Sequence, residues 1–346
     1  MDSANKSPGT LILNGKYEVL SILGKGGFGE VYQVKELSTN KFFAAKKMKI
    51  DEKDDLEIAN SEILLYSNKF THPNIVSVIE HHKTQDEFIF IMELGLYNLK
   101  QEMERIKLTE STKKKKNKPK TRGVYSFSQA LNIFKDLLNA LMFVTSKNIH
   151  YGDIKPTNII KFPDCYKLTD WGTASFKQLG VDRTITVKSS RLIVGTLLYM
   201  APELQECLEK DINLSVVGKV NKQKIRINFE KADVFSLGLL VLEVYFGVSK
   251  GNIRKIKQKI QQQKITFKEM EDVLMKCNKD CEVAFCRLVS VMLSLDHTKR
   301  PHFKDIMAAV IEMEKNKVEM PLTPVLEGGD SGNQEEQKRE EGLIFF

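Results

Sequence analysis

His150-Tyr151-Gly152-Asp153-Ile154-Lys155-Pro156-Thr157-Asn158-Ile159-Ile160, with Leu168-Thr169-Asp170-Trp171-Gly172 close behind it, is the stretch on which the fold turns. Asp153, Lys155 and Asn158 fall within one short segment between apolar residues, and Asp170 follows in the same setting. A single aspartate is ordinarily a helix cap or a surface ion-pair partner. Two aspartates, a lysine and an asparagine at this spacing read instead as one constellation that needs its charges in fixed places.

The surroundings of this stretch are helical. SQALNIFKDLLNALMFVTSK (128–147), ADVFSLGLLVLEVYF (232–246) and VAFCRLVSVMLSL (283–295) are long segments of apolar periodicity. Upstream, YEVLSIL, EVYQVKEL, FFAAKKMKI and FIFIME between Tyr17 and Glu93 read as short strands, interrupted by one helical stretch, DDLEIANSEILLYSN. The hydrophobic period changes near Glu93 to Gly95. The chain is therefore expected to be α+β and bilobal, with a small, mainly antiparallel β lobe at 15–95 carrying one helix, and a larger, mainly helical lobe at 96–318. Residues 1–14 are expected to be a flexible start, 107–124 and 207–229 insertions, and 319–346 an acidic tail. A cleft between two lobes is a usual home for a small molecule.

The small lobe contributes Leu23-Gly24-Lys25-Gly26-Gly27-Phe28-Gly29-Glu30-Val31. A lone G-x-G-x-x-G is weak, because a dinucleotide-binding turn or a plain Gly-rich hairpin also carries it. The dinucleotide turn must lead into a helix, and the strand-like EVYQVKEL follows here, so the glycines lie at the bend of a hairpin. Such a flap brings backbone N–H groups close to phosphate oxygens, where Cβ atoms would intrude. Lys46, between apolar residues on the next strand reading, can reach a phosphate and pair with a carboxylate of the following helix; Glu62 is the first choice and Glu57 the fallback.

Taken together these motifs resemble the eukaryotic protein kinase family, serine/threonine branch. Asp153, Lys155 and Asn158 match its catalytic loop and Asp170-Trp171-Gly172 its Asp-Phe-Gly segment. GTLLYMAPE (195–203) resembles the close of its activation loop, ADVFSLG the start of its central helix, and Arg300 its late arginine, expected to pair with Glu203. The resemblance runs in family order from about Tyr17 to Met313. It implies a bilobal kinase fold and transfer of the γ-phosphate of Mg-ATP to Ser/Thr hydroxyls of protein substrates, with Mn²⁺ as a substitute cation. Asp170 and Asn158 would hold the metal, Asp153 accept or orient the substrate hydroxyl proton, Lys155 steady the γ-phosphate, and Thr196 hydrogen-bond near both. Adenine would sit between Val31 and Ala44 above and Ile160 below, bonded at its edge to the backbone of Glu93 and Gly95, with Met92 behind. A catalytically silent scaffold of the same fold is the alternative.

The departures carry expectations of their own. Gly152 stands where the family has an arginine that in many relatives grips a phosphorylated activation loop, so control through that contact is not expected. Thr184, Thr186, Ser189 and Ser190 are left as candidate phosphosites. Trp171 replaces phenylalanine and is expected to pack near Tyr66. Thr157 replaces an acidic residue that in some relatives attracts basic substrates. The segment from Glu203 to Asp233 exceeds the usual length by about 18 residues.

Composition excludes several classes. With 42% hydrophobic and 28% charged residues over 346 positions, the chain is neither disordered throughout nor membrane-embedded, and no apolar run approaches the length of a spanning helix. Its net charge of +8 is concentrated: residues 107–122 hold +7, while 321–346 hold −4. A nucleic-acid partner is therefore not expected from the charge. The Lys-rich run reads as a nuclear import signal, an anionic-lipid contact or a solvated loop. Five scattered cysteines, Cys165, Cys207, Cys277, Cys281 and Cys286, give no zinc knuckle and are expected as reduced thiols. A cytoplasmic, monomeric protein follows as the expectation, entering the nucleus if the lysines are an import signal.

Overall fold

The computed structural model describes residues 11–26, 29–50, 63, 71–112, 124–176, 197–206, 228–277 and 283–318. The alternating pattern of the first part folds into an antiparallel sheet of β1 (Ile12–Leu13), β2 (Tyr17–Gly26), β3 (Gly29–Glu36), β4 (Phe42–Lys49), β5 (Val78–Lys83) and β6 (Glu87–Met92), in the order β1-β2-β3-β4-β6-β5. Successive residues of a strand face opposite ways, so the sheet packs two separate clusters. Tyr17, Tyr32, Val34, Ala45, Ile89 and Ile91 gather on one face. Ala44, Met48, Phe88, Phe90 and Met92 gather on the other, with Val76 and Phe162 from outside the sheet. The sheet curls until its edges meet: Lys16 Nζ donates to Glu80 Oε1 at 3.0 Å and the Asn14 amide lies 2.8 Å from His82 Nδ1.

After Met92 the chain turns through β7 (Tyr97–Asn98) into helices α1 (Leu99–Thr112) and α2 (Phe127–Ser146). Ser126 and Gln129 form a reciprocal capping box that starts α2. Short strands β8 (Ile149–His150), β9 (Ile159–Lys161), β10 (Tyr166–Leu168) and β11 (Ser175–Phe176) follow, and then helices α3 (Phe229–Val244), α4 (Lys250–Gln261), α5 (Phe267–Cys277), α6 (Val283–Met292) and α7 (Phe303–Val318). Helix α3 is buried on every side, as its continuous apolar sequence requires. It lies in one core with α2 and α6, through Leu137, Leu141, Phe235, Leu239, Phe285 and Val289.

Three boundaries differ from the sequence reading. Residues 107–112, read as part of a basic loop, continue helix α1. Leu108, Thr109 and Glu110 contain no Gly or Pro, and the unbroken lysine run begins only at Lys113. Ile12 and Leu13, read as flexible, pair with Glu18 and Tyr17. Asn228 and Phe229, read as insertion, cap and begin α3. Of the helix read in the small lobe, Ile63 alone is described, and it is helical. Among the described residues no helix is long and apolar enough to cross a membrane.

Candidate functional site

Strand β4 places Lys46 by alternation. Ala44, Lys46 and Met48 share one face, so the lysine points into the space beneath the sheet although its neighbours are apolar. Its Nζ lies 2.8 Å from Asp170 Oδ1, which comes from the other half of the molecule. Asp170 has φ +64°, a left-handed conformation that turns its carboxylate toward Lys46. Burial opposes the charge of Asp170, yet the Lys46 ammonium, the field of Lys155 and the Gly172 N–H together hold the carboxyl below its ordinary value.

The second aspartate sits on the loop between β8 and β9. Asp153 is buried, and its Oδ2 receives Lys155 Nζ at 2.6 Å and Asn158 Nδ2 at 2.8 Å. Burial raises its pKa above the ordinary carboxylate value, and Lys155 counters part of that. Asn158 ends a short 3-10 turn, Pro156–Asn158, and its Nδ2 also donates to Asp153 O at 3.1 Å. That amide nitrogen is committed to Asp153, while the oxygen of Asn158 accepts only a long bond from Thr157 Oγ1, 3.4 Å, and is the atom of this side chain suited to a cation. Asp170 Oδ1 faces Lys46, and the Gly172 N–H also bonds this carboxylate. Asn158 and Asp170 thus offer hard oxygen donors lining one cleft, the set that suits a small divalent cation completed by phosphate oxygens.

The loop itself is clamped from below. Asp233 of α3, 3% exposed, accepts the N–H of Tyr151 at 3.2 Å and of Gly152 at 3.1 Å. Tyr151 donates its hydroxyl to Thr169 O at 2.5 Å, and Thr173 Oγ1 donates to Tyr151 O at 3.1 Å. The segments bearing Asp153 and Asp170 are therefore tied at both ends of Tyr151. Gly152 adopts φ +80°, where a Cβ would lie 3.2 Å from His150 Nε2, so glycine makes this bend at the least backbone cost. Trp171 packs edge-on against Tyr151 with centroids 5.0 Å apart. The expected neighbour, Tyr66, lies outside the described residues.

A cleft of about 770 Å³ runs between the sheet and the helical part. Leu23, Gly24, Lys25, Gly26, Gly29, Val31, Ala44, Lys46, Met92, Glu93, Gly95, Lys155, Asn158, Ile160 and Asp170 all line it, as the sequence led one to expect. The Glu93 carboxylate is turned away, accepting Ser77 N at 2.7 Å and Lys167 Nζ at 2.8 Å, which leaves backbone at the cleft edge. Gly95 is forced by contact, since a Cβ there would lie 2.2 Å from Ile160 Cγ2. Asp153 lies behind the lining, reaching it through Lys155 and Asn158. Glu62, Glu57, Thr196, Gly27, Phe28 and the four candidate phosphosites lie outside the described residues, as do the greater part of both insertions and the acidic tail.

Sequence reasoning missed Asp233 as the clamp, although an aspartate opening an otherwise apolar helix was its signal. It also missed the wall that α1 adds to the cleft through Gln101, Arg105 and Leu108, because the nearby lysine run drew the end of that helix into a loop. The Glu203–Arg300 expectation is met: Nη1 to Oε1 is 2.6 Å and Nη2 to Oε2 is 3.0 Å. Cys286 is fully buried in the core, and among the described residues no three His, Cys, Asp or Glu gather as a metal site.

Comparison with known proteins agrees with this geometry. Residues 17–310 match the family model described as protein kinase domain. The chain is 27% identical over 314 residues to a probable serine/threonine-protein kinase, fhkD, of Dictyostelium discoideum, covering 83% of this chain and 36% of that protein. It is 29% identical over 234 residues to the serine/threonine-protein kinase STE20 of Saccharomyces cerevisiae (67% and 20%), and 28% over 302 residues to a putative serine/threonine-protein kinase A of Trypanosoma brucei brucei (84% and 59%). The chain thus spans less than two thirds of the length of each of these relatives.

Proposed function

The chain belongs to the protein kinase family, and from that premise we propose that it is an active ATP-dependent serine/threonine kinase rather than a silent scaffold. The observation that carries this reading is the convergence of Lys46, Asp170, Lys155 and Asn158 on one cleft, with Asp153 held immediately behind. Mg²⁺ fits the oxygen donors of Asp170 and Asn158; bound there with ATP, it would neutralise charge on the phosphates. Lys46 positions the nucleotide from above and Lys155 holds the side chain of Asp153. The Asp153 carboxylate is the group placed to accept the proton of a substrate hydroxyl. Lys155-Pro156-Thr157-Asn158 favours Ser/Thr acceptors by resemblance.

The reading is tested by transfer of label from ATP to a degenerate peptide library, with wild type compared against Asp153→Asn and Asp170→Asn. Labelled Ser/Thr peptides from wild type, and loss of at least about a hundredfold in each variant, are expected. Wild type that binds ATP with Mg²⁺ or Mn²⁺ yet labels nothing would leave the scaffold reading in place.

A further inference from the structure

Helix α4 buries Ile253, Lys257 and Ile260 on one face. A lysine takes the middle of an otherwise apolar stripe, at 4% exposure. Desolvating an ammonium costs several kcal/mol unless oxygen acceptors receive it, so a lysine held there has to be matched by a specific partner. Its Nζ donates to Leu197 O at 2.6 Å. Leu197 begins the described segment, which is turn through Leu198, Tyr199 and Met200 and becomes helical at Pro202, where Ala201 O accepts Gln205 N at 3.1 Å.

That segment is tied at two further points. Tyr199 donates its hydroxyl to the Glu243 carboxylate on α3, and Glu203 is gripped by Arg300. Both are downstream, and both bind side chains. Lys257 acts at the upstream end and on the backbone itself, next to Thr196, the residue expected beside Asp153 and Lys155. A backbone carbonyl fixed at this point holds the start of the 197–203 stretch against helix α4.

We propose that Lys257 is a positioning residue for protein-substrate binding: its ammonium pins the Leu197 carbonyl and so fixes the segment against which the phosphoacceptor peptide is laid. The inference rests on the kinase reading for its kinetic consequence, but the pinning is measurable without it. Lys257 is not among the residues that line the cleft. Its loss acts on peptide KM and leaves the nucleotide site as it was.

Lys257→Met keeps the length and fills the stripe between Ile253 and Ile260; Lys257→Arg keeps a charged donor. In the full chain, hydrogen exchange of the 197–203 amides is expected to speed at least about tenfold in Lys257→Met while exchange in α2 and α3 stays at the wild-type rate. Peptide KM is expected to rise about fivefold or more, with KM for ATP unchanged and partial recovery in Lys257→Arg. Unchanged exchange at 197–203 and unchanged peptide KM in a folded Lys257→Met protein would overturn the proposal. So would equal losses of ATP and peptide binding, which mark a merely structural role. Should wild type transfer no phosphate, the kinase reading fails, and the exchange measurement still decides the pinning.

Discussion

Asp153 and Asp170 are carboxylates of one site whose environments push them in opposite directions. Burial, with Lys155 opposing it, raises Asp153; Lys46 and its companions, outweighing burial, lower Asp170. A proton acceptor must be ionised, so the acid limb of kcat/KM is expected above the ordinary carboxylate pKa of about 4, and it reports Asp153. Asp170 stays ionised through that range. Its lowered folded pKa contributes stability that is complete above the unfolded value and lost only as the pH falls through the lower folded value. Lys155→Met removes the charge that counters burial at Asp153, so the acid limb moves to higher pH as kcat falls. A pH–rate profile on both proteins checks this, and an unmoved limb would separate Lys155 from the ionisation of Asp153. Both aspartates were legible in the sequence, because charged residues set between apolar runs at fixed spacing are costly to bury unless a site uses them. The opposite sense of their shifts was not, since it depends on which cation approaches which oxygen.

Elements carry the site by rigid connection. Arg300 is 1% exposed and satisfied on every side, donating to Ser294 O at 2.8 Å and Lys231 O at 2.9 Å as well as to both oxygens of Glu203. The pair joins the end of the 197–203 segment to the start of α7 and the first turn of α3. Glu203→Gln leaves a buried guanidinium short of its counter-charge, and a loss of about 3 kcal/mol is expected, the low end of the range because Glu203 keeps some contact with solvent. The midpoint of urea unfolding measures it, and a change below about 1 kcal/mol would mean that the carbonyl acceptors alone satisfy Arg300. This pairing could be expected from the sequence because resemblance supplied both partners. Asp233 shows the converse: its helix was legible from periodicity, but its hold on the Tyr151 and Gly152 amides joins residues far apart in the chain that no local pattern relates.

Across the whole chain, the cleft is where the sheet and the helical part meet. Lys46 to Asp170 crosses it as an ion pair, and backbone pairing of Val76 N to Leu168 O at 2.9 Å and Leu168 N to Asn74 O at 2.9 Å sews the stretch just before β5 to the larger part. A nucleotide bound there touches both halves and stabilises the folded chain by mass action, about 2.7 kcal/mol at a ligand concentration of 100 Kd. Mg-ATP is therefore expected to raise the Tm of wild type by several degrees. Asp170→Asn, lacking a metal donor and the counter-charge to Lys46, is expected to lose most of that rise; the same rise in both proteins would place the nucleotide elsewhere. Differential scanning calorimetry reads the difference.

The order of residues was enough for the strand and helix periods, the glycine hairpin and the close spacing of Asp153, Lys155, Asn158 and Asp170, because each is a local signal: side-chain alternation, helical spacing, or a short motif; Lys46, distant along the chain, joined that set only through the family resemblance. It took the packed molecule to reveal that Asp233 clamps the loop between β8 and β9, that α1 walls the cleft, that Gly152 bends with positive φ beside His150, and that Lys257 reaches Leu197. Each of these depends on a contact between segments brought together by folding, and separation along the chain carries no information about distance in space until the core has packed.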